Sequence, residues 1–91
     1  MTTEKQAIKI IDHFGQENQI IKCIEELSEL SKNLCKYLGS DKIDLSLITE
    51  EISDVENMLD QLKIIFNLDA ELIENLRKFK LNRTIERIEN E

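Results

Sequence analysis

The chain of 91 residues contains no proline and only two glycines, Gly15 and Gly39. That absence constrains the fold more than any other feature. Sheet-rich folds need turn residues every ten or so positions, and this chain does not supply them. Helices need them only at their ends. The sequence therefore predicts an all-α fold: an antiparallel bundle of about four helices in one domain, residues 1–91. No apolar run approaches the roughly 20 residues of a bilayer span, so no membrane partner is expected. The N-terminal MTTEKQAIKII carries an acid early and no cleavable apolar segment, which makes the cytoplasm the default location. A bundle this small buries a modest fraction of its surface, so a homodimer or larger assembly is expected.

Caps and breaks place the helices. The first runs from about Glu4 to His13, capped by Thr2 or Thr3 and broken by Gly15. The second runs from about Gln16 to Leu38, with Gly39 at its C′ position. The linker Gly39-Ser40-Asp41-Lys42-Ile43-Asp44 is short, which forces the third helix, about Leu45 to Phe66, to return antiparallel. Asn67-Leu68-Asp69 is the next break, and Asp69 is a good N-cap for a fourth helix from Ala70 to near Asn90. On the second helix, Ile20, Ile24, Leu27, Leu34 and Leu38 recur at three- and four-residue spacing, widened by Cys23, Leu30 and Cys35. This reads as a core face. Cys23 and Cys35 lie roughly 18 Å apart along one helix, too far for a disulfide, and are expected to be buried free thiols.

Acids stand where a core is expected. The apolar arc of the third helix spans about 140°, from Leu47 and Ile65 to Ile52. Glu51 falls inside it and Asp54 just outside. An unpaired carboxylate on a buried face costs several kcal/mol unless a cation or partner meets it. The second helix carries a matching pair, Glu26 and Glu29, on adjacent turns of one face. If the hairpin turns about residue 41, the two pairs lie within about 3 Å of one level. Four carboxylates together repel, and a hard divalent cation relieves them; an all-oxygen set suits Mg²⁺, with Mn²⁺ possible. A di-iron bundle wants Glu-x-x-His, and Ile10 precedes the only histidine, His13, by three. One histidine and two cysteines make no zinc set.

These segments, Glu25-Glu26-Leu27-Ser28-Glu29 and Glu51-Ile52-Ser53-Asp54 with 21 residues between them, resemble a known pattern, EExxE followed by ExxD. It is that of the all-α nucleoside triphosphate pyrophosphohydrolases: MazG-like proteins, dimeric dUTPases, dCTP pyrophosphatases and phosphoribosyl-ATP pyrophosphohydrolase. GQENQIIKCIEELSELSKNLCKYL looks like that family's first core helix and DVENMLDQL like its second, so the likeness covers about residues 15 to 88. The style is closest to short single-domain MazG-like proteins. The resemblance implies Glu26, Glu29, Glu51 and Asp54 as Mg²⁺ ligands, with Glu25 outer-sphere or orienting water. It implies hydrolysis of a nucleoside triphosphate to its monophosphate and pyrophosphate, and a homodimer or homotetramer. The chemistry is metal-assisted hydrolysis.

Charge sharpens the expectation. The net charge is −7, which argues against stable nucleic-acid binding. Residues 77–87 nevertheless hold Arg77, Lys78, Lys80, Arg83 and Arg87 against Glu86 alone, a net of +4 that leaves −11 for the rest. Lys80 and Arg83 are the candidates for phosphate contact, and KFKLNRTIERI resembles the basic tail of MazG-like proteins. Asn57, one turn beyond Asp54, and Gln19, ahead of the acids, are further substrate-binding candidates. His13 and Phe14 could stack on a base or simply close their helix. Two other readings stand beside the enzyme: a non-catalytic helical interaction module on the same fold, and a nucleic-acid adaptor using the basic last helix.

Overall fold

The computed structural model describes residues 2–40 and 42–91. Four helices follow one another: α1 (Thr3–Phe14), α2 (Gln16–Ser40), α3 (Leu45–Ile65) and α4 (Ala70–Glu89), with no strand among the described residues. The expected all-α class holds. Each joint has a local cause. The Thr2 hydroxyl accepts from the Lys5 N–H at 3.2 Å, and the Asp44 carboxylate from the Leu47 N–H at 3.1 Å. Asp69 accepts from two N–H groups, Glu71 at 2.9 Å and Leu72 at 3.1 Å. Caps of this kind stabilise a helix by about 0.5–2 kcal/mol each. Gly15 ends α1 at φ 93°, and Asn67 takes φ 49° after α3; left-handed backbone favours glycine and, among side-chain-bearing residues, asparagine.

One boundary differs from expectation. Gly39 is not a C′ cap: α2 continues through it to Ser40, and Gly39 does not adopt positive φ. The Ser40 hydroxyl donates back to the Lys36 carbonyl one turn earlier at 2.9 Å. The expected hairpin midpoint, Asp41, lies outside the described residues. The contacts on either side bracket it all the same. Midway between the paired Gln19 and Gln61 is residue 40, and midway between Asn33 and Glu51 is residue 42.

The α2–α3 hairpin is the body of the fold, and α1 lies against both of its helices. The apolar core is small: Ala7, Ile11, Cys23, Val55 and Met58. Three polar side chains are buried with it, Gln19, Glu51 and Gln61. On α2 the inward line is Gln19, Cys23, Glu26, Leu30 and Asn33, all buried or half-buried. The expected core face is therefore corrected. Ile24, Leu27, Leu34 and Leu38 are exposed, as is Cys35. They sit about 60–140° round the helix from the line that meets α3. Leu45, Ile52, Leu59 and Phe66, every seventh residue of the α3 stretch, are exposed as well. Because the helices run antiparallel, the two apolar edges lie on the same side of the hairpin. On the other side lies α1.

The fourth helix has no buried residue. The chain's radius of gyration is 16.5 Å, against about 12 Å for a compact domain of this length. The helix is held to the rest mainly by the chain itself.

Candidate functional site

A groove of about 920 Å³ opens between α1 and the near edge of the hairpin. Its position follows from the packing. The first helix lies against α2 and α3, and the groove's lining runs along both of them from the level where Gln19 and Gln61 meet to the turns beyond. The register fixes what those turns present. Gln19 donates its Nε2–H to the Gln61 Oε1 at 2.8 Å, pairing the two helices at that level. Two turns further, about 10 Å along the axes, α2 places Glu26 and α3 places Asp54. Both line the groove, with Glu25, Asn57 and both glutamines.

Among the candidates read from the sequence, Glu25, Glu26, Asp54, Asn57 and Gln19 thus share one groove. Glu26 is half-buried, with the Lys22 ammonium 3.2 Å from its carboxylate and the same ammonium 3.9 Å from Glu25. Glu29 is exposed and does not line the groove. Glu51 is 6% exposed and lies in the seam between the helices, not on the groove wall. Lys80 and Arg83 are exposed on α4 and are not part of the groove; the Arg83 guanidinium stands 5.8 Å over the Phe79 ring. Phe14 lines the groove, and its ring meets the His13 ring edge-on at 4.6 Å.

Two residues belong with this constellation although their types drew no attention in the sequence. The first is Asn33, whose Nδ2–H donates to the Glu51 Oε1. The second is Gln61. A seven-residue polar period reveals both: Gln19, Glu26 and Asn33 on α2, and Asp54 and Gln61 on α3. Seven residues make two turns, so each series forms one line along its helix.

Glu51 gives the site its electrostatic signature. Asn33 satisfies one of its oxygens, while Oε2 is buried with no hydrogen-bond partner among the described residues. An unmet buried carboxylate oxygen is costly, on the order of several kcal/mol if the group stays charged. A divalent cation is one partner able to meet that demand, and carboxylate oxygens are the ligand type that Mg²⁺ takes. The donor chemistry fits the ion. The side chains are not gathered into a cage: no group of three or more His, Cys, Asp or Glu among the described residues stands ready to hold a metal. The ion pair between Lys22 and Glu26 shows one charge already neutralised from within the chain.

The chain matches no protein-family model, no curated protein and no solved structure.

Proposed function

We propose that this chain is a Mg²⁺-dependent nucleotide pyrophosphohydrolase of the MazG-like type. It would cleave a (d)NTP to the nucleoside monophosphate and pyrophosphate, in a house-cleaning role in the cytoplasm. The observation that carries the reading is Glu51: a carboxylate in the seam of a helical hairpin, one oxygen held by Asn33 and the other without a partner. Glu26, Glu29, Glu51 and Asp54 are the residues that would hold the ion, with Mn²⁺ as a substitute. The ion, when bound, supplies neutralisation of phosphate charge and a more acidic water. The chain's own contributions are separate. Asn33 fixes the Glu51 carboxylate. Lys22 holds Glu26 and offsets part of the groove's negative charge. Asn57 offers its amide from the groove wall, next to where phosphates would lie.

Assembly is part of the proposal. The chain exposes 7539 Å², whereas a compact monomer of this mass exposes about 5,500 Å². The difference exceeds the roughly 800 Å² per partner of a standard interface. A homodimer or homotetramer covering the apolar edge of the hairpin accounts for it. Phosphate contact by Lys80 and Arg83 would have to come from another copy, since neither lines the groove of its own chain.

The test is metal-dependent pyrophosphate release from a panel of (d)NTPs. Wild-type protein is expected to hydrolyse at least one. Glu51→Gln is expected to lose about a hundredfold or more in kcat/KM while keeping its helical circular dichroism. A folded wild-type protein that releases no pyrophosphate from any nucleotide, with Mg²⁺ or Mn²⁺, overturns the reading. The interaction-module reading draws on the unburied α4 and the ungathered carboxylates. It predicts no rise in melting temperature on adding either ion, whereas an ion bound to the folded state alone raises it. A nucleic-acid adaptor using α4 would instead bind in a manner that collapses with salt and survives Glu51→Gln.

A further inference from the structure

The hydrogen bond between Gln19 and Gln61 uses one end of each carboxamide and leaves the other end of each. The two side chains are 7% and 4% exposed, and both line the groove. Neither makes another side-chain hydrogen bond among the described residues. Neither has a fully enclosed polar atom lacking a partner. Both residues line the groove, so the ends that the bond leaves over, the Gln19 Oε1 and the Gln61 Nε2, are the acceptor and the donor that the pair has to offer a ligand there.

This pair has a property that a Gln–Asp or Gln–Lys pair lacks. Each carboxamide can turn over about its last torsion, whose profile is broad and two-fold. If both turn together, the bond between them is remade in the opposite sense. Gln61 then donates to Gln19, and the groove still meets one donor and one acceptor with their places exchanged. The pair is thus a donor–acceptor reader of reversible polarity. The same groove is lined by the apolar Ala7, Ile10, Phe14 and Met58 as well as by polar side chains.

A flat heterocycle with adjacent hydrogen-bonding atoms on one edge fits these features. Uracil and guanine present a carbonyl beside a ring N–H. Cytosine and adenine present an amino group beside a ring nitrogen acceptor. The two classes are opposite in polarity, and the pair meets either by turning over. The carboxylate level, about 10 Å away along the same two helices, then falls on the phosphate side of a nucleotide whose base edge meets the glutamines.

We propose that Gln19 and Gln61 together form a base-reading subsite that accepts keto and amino bases alike, so that the enzyme is tolerant of the base. This rests on the pyrophosphohydrolase reading for the reaction but has its own readout. The experiment compares UTP, CTP, GTP and ATP, and an abasic ribose triphosphate, in wild-type, Gln61→Leu and Gln19→Leu proteins. Wild-type kcat/KM is expected to agree within about tenfold between keto and amino bases. Both variants are expected to lose at least tenfold on all four base-bearing substrates relative to the abasic one. A fixed pair would instead discriminate strongly, because a site with a wrongly placed buried polar group rejects the mismatched ligand by orders of magnitude. Wild-type discrimination above a hundredfold between the two base classes, or variants that leave the base-bearing substrates untouched, overturns the proposal.

The second measurement needs no turnover and no variant. Side-chain amide resonances of Gln19 and Gln61 in the wild-type protein are followed by NMR as uridine, and separately cytidine, is added without metal. Both nucleosides are expected to shift both resonances. Shifts in a protein that hydrolyses nothing keep the base subsite and sink the hydrolase. Turnover without shifts sinks the subsite and keeps the hydrolase. Neither turnover nor shifts sinks both.

Discussion

The two sides of the α2–α3 hairpin are built from the same helical periods and come to opposite ends. The side under α1 carries amides and carboxylates, and it is partly covered within the chain. The far side carries leucines and isoleucines that stay exposed among the described residues. The usual expectation is the reverse, with apolar residues inside and polar ones out. The difference teaches that internal packing here serves the groove. The seam holds Gln19, Glu51 and Gln61 in fixed register, at the expense of a large core. The greasy side stays exposed, and in the proposed assembly a second copy covers it.

The comparison can be broken from either side. The largest effect is expected in the seam. Met58→Ala removes one of the few buried apolar side chains, and its unfolding free energy is expected to fall by about 2–5 kcal/mol. Chemical denaturation at fixed protein concentration measures it. An effect below about 1 kcal/mol would mean that the seam is not where the fold is held.

Next comes the uncovered side. Leu59→Asp places a charge among exposed leucines and isoleucines of the apolar edge. If this edge is the interface between copies, association is expected to weaken by about thirtyfold or more, as for an interface hot spot. Light scattering coupled to size exclusion would show a smaller mass, and Asn57→Asp on the groove side would leave the mass unchanged. Equal masses for wild type and Leu59→Asp would return this edge to solvent.

Smaller effects sharpen the picture. Asp69→Ala removes the cap that holds the first turn of α4 by two hydrogen bonds. A loss of about 1 kcal/mol is expected, seen as faster amide exchange at the start of α4. Smallest is the contrast between the thiols. Burial pushes the Cys23 thiol up from its ordinary range, and Cys35 is exposed. One equivalent of an alkylating reagent is expected to react at mildly alkaline pH with native protein, and two with unfolded protein. The sign agrees with pH dependence: the folded state keeps the Cys23 proton where the unfolded thiol loses it, so this stabilisation fades as pH rises past the usual thiol range.

Most helix boundaries were legible because their causes are local. A glycine at positive φ, a threonine before a helix and an aspartate after Asn67-Leu68 each act within a turn of themselves. Gly39 misled because a glycine at a helix end does not have to leave the helix, and α2 runs on through it to Ser40. The register of the acids was legible too, since a short linker leaves little freedom between antiparallel neighbours. The inward face of α2 was not. Apolar periodicity marks what avoids water, and in a chain this small it cannot say which apolar edge the chain covers and which it leaves exposed. The seven-residue polar period marks Asn33 and Gln61 as positions, but it does not give their roles, because each is defined by a partner across the seam that no local pattern names.

The joint between α1 and α2 is a single residue, Gly15, at φ 93° and ψ 148°. A side chain there would touch nothing within 4 Å. What forbids one is torsion alone, at about 1–3 kcal/mol for a side-chain-bearing residue in this region of backbone space. Since α1 roofs the groove, the height of that roof is gauged by one dihedral rather than by any contact inside the cavity. A substitution at residue 15 would therefore act on whatever occupies the groove without meeting it, as lengthening a hinge pin alters how a door hangs.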